Sequence, residues 1–143
     1  MIQRERLAND FEAMSHFTAP GEGINRLAFT DADWAGRQYI IDRMIDAGLT
    51  VETDGFGNVI GYKIGKKPEL PVVMVGSHTD SVPNGGNYDG VVGVLSAIEA
   101  VRSINDDGFD HDHTIGVVSF MCEESGRFGD STLGSKAMRG ELT

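Results

Sequence analysis

The sequence predicts an α/β fold, and three observations carry that expectation. Two apolar runs have the length and β-branched content of buried strands: Val72-Val73-Met74-Val75-Gly76-Ser77 leads into His78-Thr79-Asp80, and Ile115 to Cys122 leads into Glu123-Glu124. Between them, residues 90–104 place Val91, Val94, Leu95, Ile98 and Val101 at helical spacing. A strand, a helix and a strand in that order form the right-handed crossover that joins two parallel strands. Ahead of this unit lies a stretch with helix start and stop signals, which supplies a flanking layer.

In chain order, residues 4–17 carry Leu7, Phe11, Met14 and His16/Phe17 at helical spacing, and Ala19-Pro20-Gly21-Glu22-Gly23 closes the segment. The second helix begins at a capping-box-like Thr30 with Asp33 three residues on. It shows an apolar stripe of Trp34, Ile40, Ile41, Met44 and Ile45 and stops at Gly48. Residues 50–53 and 58–64 are expected to be two strands joined by Asp54-Gly55-Phe56-Gly57. The first buried strand, a Pro/Gly/Asn loop, the crossover helix, a polar loop over 105–113 and the second buried strand follow. Gly85 and Gly86 are read as permissive residues that let the chain bring Asp89 back toward His78.

The 143 residues, 40% of them hydrophobic, suit one domain with a real core, or part of a larger one. A formal net charge of −10 with scattered basic residues argues against a nucleic-acid or anionic-membrane surface. No apolar stretch reaches a membrane span, and the first residues lack the apolar core of a signal peptide, so a cytoplasmic protein is expected. The single cysteine, Cys122, allows no internal disulfide. Followed by two carboxylates that would raise its pKa, and with no histidine in its motif, it is read as a small buried hydrophobe rather than a nucleophile.

The topology decides which polar residues meet. His78 and Asp80 leave the C-terminal end of the first strand, Asp89 enters the crossover helix, and Glu123 and Glu124 leave the C-terminal end of the second strand. All five therefore converge at the sheet edge where open α/β folds bind ligands. His111 and His113 precede their strand and fall at the opposite edge, and His16 is expected to be an interface histidine on the first helix. One imidazole with several carboxylates is a mixed nitrogen and oxygen set suited to zinc, with manganese or cobalt as alternatives. A carboxylate two residues after a histidine can accept its second ring N–H. Asp89 is placed to bridge two ions, and of the adjacent Glu123 and Glu124 one can ligate while the other acts as general base. A dinucleotide-binding turn at Gly85, Gly86, Gly90 and Gly93 fails, because the spacing is not G-x-G-x-x-G and Asp89 would repel a phosphate.

The segment from Gly76 to Gly90, GSHTDSVPNGGNYDG, resembles the first metal-binding segment of the hydantoinase/carbamoylase-type amidases. These include N-carbamoyl-L-amino-acid hydrolase, allantoate amidohydrolase and β-ureidopropionase, within the zinc aminoacylase and carboxypeptidase metallopeptidase superfamily. The segment from Cys122 to Gly129, CEESGRFG, followed by Thr132-Leu133-Gly134-Ser135, is similar to the second, and its Arg-Phe pair points to this branch. The similarity runs from about Gly23 to the end of the chain. It implies that His78, Asp89 and Glu124 bind metal, with Asp89 bridging two divalent ions, that Asp80 orients His78, and that Glu123 is the general base. Arg127 is expected to brace the glutamate loop. The implied substrate is a small ureido or carbamoyl compound cleaved at a C–N bond, and the implied parent enzyme is a homodimer.

Three ligands cannot fill two coordination shells, and the resemblance places two further histidines downstream. The expectation is therefore an incomplete fold. Residues 1–143 would be the N-terminal part of a zinc-peptidase-like catalytic domain, with a mixed, mostly parallel sheet flanked by helices. A second dimerisation or lid domain would be absent, metal binding weak, turnover slight, and an open sheet edge prone to self-association. The alternatives are an aminoacylase or dipeptidase of the same superfamily, which would share every ligand present, and a non-catalytic folded fragment.

Overall fold

A computed structural model describes residues 1–142. The elements are α1 (Arg4–Ser15), α2 (Asp31–Asp46), β1 (Thr50–Thr53), β2 (Val59–Lys63), β3 (Val73–His78), α3 (Val91–Asp106), β4 (Ile115–Phe120) and α4 (Leu133–Met138). The four strands form one mixed sheet in the order β1-β2-β4-β3. The β1–β2 hairpin is antiparallel and joins β4 antiparallel, while β3 and β4 pair in parallel across the α3 crossover.

The core lies between the sheet and the three long helices. Met14 of α1, Ile40 and Met44 of α2, and Val91, Val94, Leu95, Ile98 and Val101 of α3 pack with Val59 and Val117, all essentially inaccessible. Alternation along β2 and β4 puts Val59 and Val117 on that face. On the other face, Ala137 and Met138 of α4 border a shallow depression with Ile60, Tyr62 and Met74. No helix is long and apolar enough to cross a membrane among the described residues.

The structure departs from the sequence reading in several places. Trp34 and Ile45 are exposed, so the buried stripe of α2 is narrower than expected and centres on Ile40 and Met44. His16 is no interface residue: α1 ends at Ser15, and the ring projects into solvent beside Glu12 at 3.2 Å. The outer half of β3 is not buried either, because β3 is an edge strand; Val73, Met74 and Val75 are 54%, 44% and 46% exposed. In the loop after β3 the left-handed residues are Asn84 and Gly90 rather than Gly85 and Gly86. Gly85 instead exchanges backbone hydrogen bonds with Ile24 in an antiparallel bridge, which holds the loop down.

Candidate metal centre

β3 and β4 run in register from Val73 opposite Ile115 to His78 opposite Phe120, so both strands end at one edge. Beyond β4, buried Cys122 takes φ 55°, an uncommon conformation for a non-glycine residue, and turns the chain into Glu123 and Glu124. Beyond β3, the loop returns to Gly90, whose φ of 73° starts α3 directly after Asp89. Gly90 lies against the His78 ring: a Cβ there would meet His78 Cε1 and Nε2 at 2.5 Å. Only glycine meets both demands, the backbone angle and the ring contact.

One donor atom each from His78, Asp89 and Glu124 lies within 4.8 Å of the others. His78 is buried, Asp89 exposed and Glu124 half-buried, so the cluster opens to solvent on its carboxylate side. Glu123 stands beside it, with Oε2 3.5 Å from His78 Nε2. The five residues predicted to converge therefore do so. His111 and His113 bond to the carbonyls of His113 and Pro71 ahead of β4, away from this edge.

Asp80 is buried at 2% exposure and has a wider part than expected. His78 Nδ1 lies 3.0 Å from the Asp80 backbone carbonyl and 3.4 Å from the carboxylate. The carboxylate oxygens accept the backbone N–H groups of Glu123 at 3.1 Å and Glu124 at 2.9 Å. Asp80 thus joins the two loops. Burial disfavours charge on His78, yet its hydrogen bonds to Asp80 and the charges of Asp80 and Glu123 carry its pKa above the ordinary value. The Glu124 pKa is raised, by burial first and then by Glu123, Asp89 and Asp80, with His78 opposing. The surplus of negative charge and the mixed donor set both fit a divalent cation. The Cys122 thiol is pushed up to about 11, chiefly by burial, and stays protonated at neutral pH.

Arg127 donates to the Ala28 carbonyl and lies 5.1 Å over the Phe128 ring, bracing the loop against the segment before α2. Two supports escaped the sequence reading. Asn58 accepts the Met121 N–H at 2.8 Å and donates to Gly134 O at 2.9 Å and Asp54 at 2.6 Å, fixing both ends of the glutamate loop. Arg26 is a buried guanidinium bonded to the Thr79 carbonyl at 2.7 Å. Their contacts to the site segments are remote in sequence: Thr79 for Arg26, and Met121 and Gly134 for Asn58.

Comparison with known proteins fits this arrangement. Residues 74–143 match peptidase family M20/M25/M40. The chain is 44% identical over 142 residues to the N-carbamoyl-L-amino-acid amidohydrolase of Pseudomonas sp. (strain NS671), covering 99% of this chain and 34% of that protein. It is 43% identical over 135 residues to the ureidoglycolate hydrolase of Arabidopsis thaliana, covering 94% of this chain and 28% of that protein. The crystal structure of a hydantoinase/carbamoylase family amidase from Burkholderia ambifaria superposes with a TM-score of 0.93 at 39% identity, over 99% of this chain and 35% of that one. The chain spans about a third of the length of the relatives it matches. Over that span the chain is similar in sequence and in fold to the hydantoinase/carbamoylase-type amidases, and its second half matches peptidase family M20/M25/M40.

Proposed function

We propose that residues 1–143 are the N-terminal part of the catalytic domain of a binuclear metal-dependent amidohydrolase that cleaves the C–N bond of N-carbamoyl amino acids or related ureido compounds such as allantoate. The remaining ligands and a second domain would come from parts of the relatives' length that this chain does not span. His78, Asp89 and Glu124 would hold two divalent ions, zinc foremost and manganese or cobalt as alternatives, with Asp89 shared. When bound, the ions supply positive charge that polarises the substrate carbonyl. Glu123, at the open side of the cluster, takes a proton from the attacking water and passes it to the departing nitrogen. Asp80 fixes the imidazole of His78 and the backbone of both glutamates.

The observation that supports this reading is the 4.8 Å convergence of donors from two strand ends and a helix entrance. Calorimetry tests the metal: the chain should bind Zn²⁺ or Mn²⁺, and His78→Ala should weaken that binding by about 100-fold or more through loss of a direct ligand. Absence of binding, or binding indifferent to His78→Ala, would favour a non-catalytic fragment. Substituting this chain for the matched third of the Pseudomonas enzyme tests the substrate. Ammonia release from N-carbamoyl amino acids or allantoate, reduced about 10²–10⁴-fold by Glu123→Gln, is expected. Cleavage of dipeptides alone would move the assignment to the aminoacylases and dipeptidases.

A further inference from the structure

We infer that Arg26 is a positioning residue for the metal centre, the head of a strap that sets where the loop after β3 presents His78; this rests on the metal-site reading above. The strap is the extended segment Ile24–Arg26, which runs along the loop from Thr79 to Gly85. Ile24 and Gly85 exchange backbone hydrogen bonds of 2.9 and 2.8 Å. The Asn84 N–H donates to Asn25 Oδ1 at 2.9 Å. The Arg26 N–H donates to Ser81 Oγ at 2.9 Å, the Ser81 N–H returns to Arg26 O at 2.8 Å, and Ser81 Oγ donates to Ile24 O at 3.1 Å.

The guanidinium then reaches past the backbone. Its Nε donates to the carbonyl of Thr79, the residue between His78 and Asp80, at 2.7 Å. Its Nη1 donates to Met14 O at 2.9 Å and Phe17 O at 2.6 Å, at the C-terminal end of α1. Only 1% of Arg26 is exposed, and burial lowers its pKa against the opposing charges of Asp33 and Asp80. A buried cation bonded to carbonyls rather than carboxylates is a costly way to fill space. What it provides is geometry. The planar fork joins two helix-end carbonyls to one loop carbonyl in a fixed plane, which a lysine or an apolar side chain cannot reproduce. Gly36 supplies the seat, since a Cβ there would come within 3.0 Å of Arg26 Cδ. Thr79 links His78 to Asp80, and Gly90 lies against the His78 ring, so the clamp on the Thr79 carbonyl acts through the backbone that carries the imidazole.

Arg26→Met tests this, with Arg102→Met as the control. Arg102 is also a nearly buried guanidinium, but it pairs with Asp10 and Glu99, remote from the loop. Arg26→Met is expected to weaken Zn²⁺ binding about 10–100-fold, the usual loss when support behind a ligand is removed. It should also change the visible absorption of the Co²⁺-loaded chain and shift the His78 imidazole resonances of the metal-free chain. Arg102→Met should leave all three within error of the unmodified chain. Equal effects from both variants, or none from Arg26→Met, would overturn the inference. Should Arg26→Met not fold, Ser81→Ala carries the test by removing the other strut: a several-fold loss of Zn²⁺ affinity supports the strap, and unchanged affinity refutes it. Failure of the unmodified chain to bind metal would overturn the proposed function, whereas the His78 resonances would still report on the positioning.

Discussion

Asp33 shows how a residue can be legible in type and hidden in circumstance. The sequence marks Thr30 and Asp33 as a helix start, and Thr30 Oγ1 accepts the Asp33 N–H at 3.4 Å while the Asp33 carboxylate reaches back to the Phe29 N–H at 2.8 Å. Its burial to 1% exposure depends on remote segments and leaves no local trace. Burial first, and then the charge of Asp80, push the Asp33 pKa up to about 6 against the Phe29 hydrogen bond, Arg37 and Arg26. The folded state therefore holds this proton more tightly than the unfolded chain. The resulting stability is complete below the unfolded pKa of 3.8 and is lost as pH rises through about 6. Asp33→Asn keeps an acceptor for Phe29 and removes the titration. Urea denaturation from about pH 4 to about pH 7 should show the variant gaining about 2 kcal/mol on the unmodified chain. The donors His78, Asp89 and Glu124 were legible for the opposite reason, since strand ends and a helix start fixed their positions. Arg26 and Asn58 were not, because the site groups they hold are backbone carbonyls and N–H groups distant in sequence, which no side-chain pattern encodes.

Among the elements, α1, α2, α3 and the four strands were readable from apolar period and turn residues, with ends differing by a residue or two. The six-residue α4 was not, because it opens at Thr132 in a left-handed conformation with no side-chain cap. What fixes α1 was equally hidden. Glu99, fully buried on α3, accepts Arg6 Nε at 2.8 Å and Arg6 Nη2 at 2.9 Å, with the Gln3 N–H at 2.8 Å and Arg102 at 3.6 Å. Although burial alone would raise its pKa, these partners hold the carboxyl below the ordinary range. Arg6→Ala would strand a buried charge and should cost about 3 kcal/mol in urea denaturation, and adding Glu99→Leu should recover part of that loss in a double-mutant cycle.

For the whole molecule, the sheet was predicted to be open, and the open side proves to be β3. Val72, Val73, Met74 and Val75 form an exposed apolar edge beside unpaired backbone groups, the arrangement that invites another strand. Self-association at high protein concentration is expected. Sedimentation equilibrium should show Val75→Lys weakening it about tenfold or more, a change of roughly 1.4 kcal/mol, and an unchanged constant would place the contact elsewhere. The parallel register of β3 with β4 has a final consequence. Since His78 stands level with Phe120, the ladder delivers both strand ends to one edge, and the turn at Cys122 then carries Glu124 to the imidazole. A single-residue deletion within β3 would swing His78 to the opposite face, so length here is as strict a requirement as chemistry.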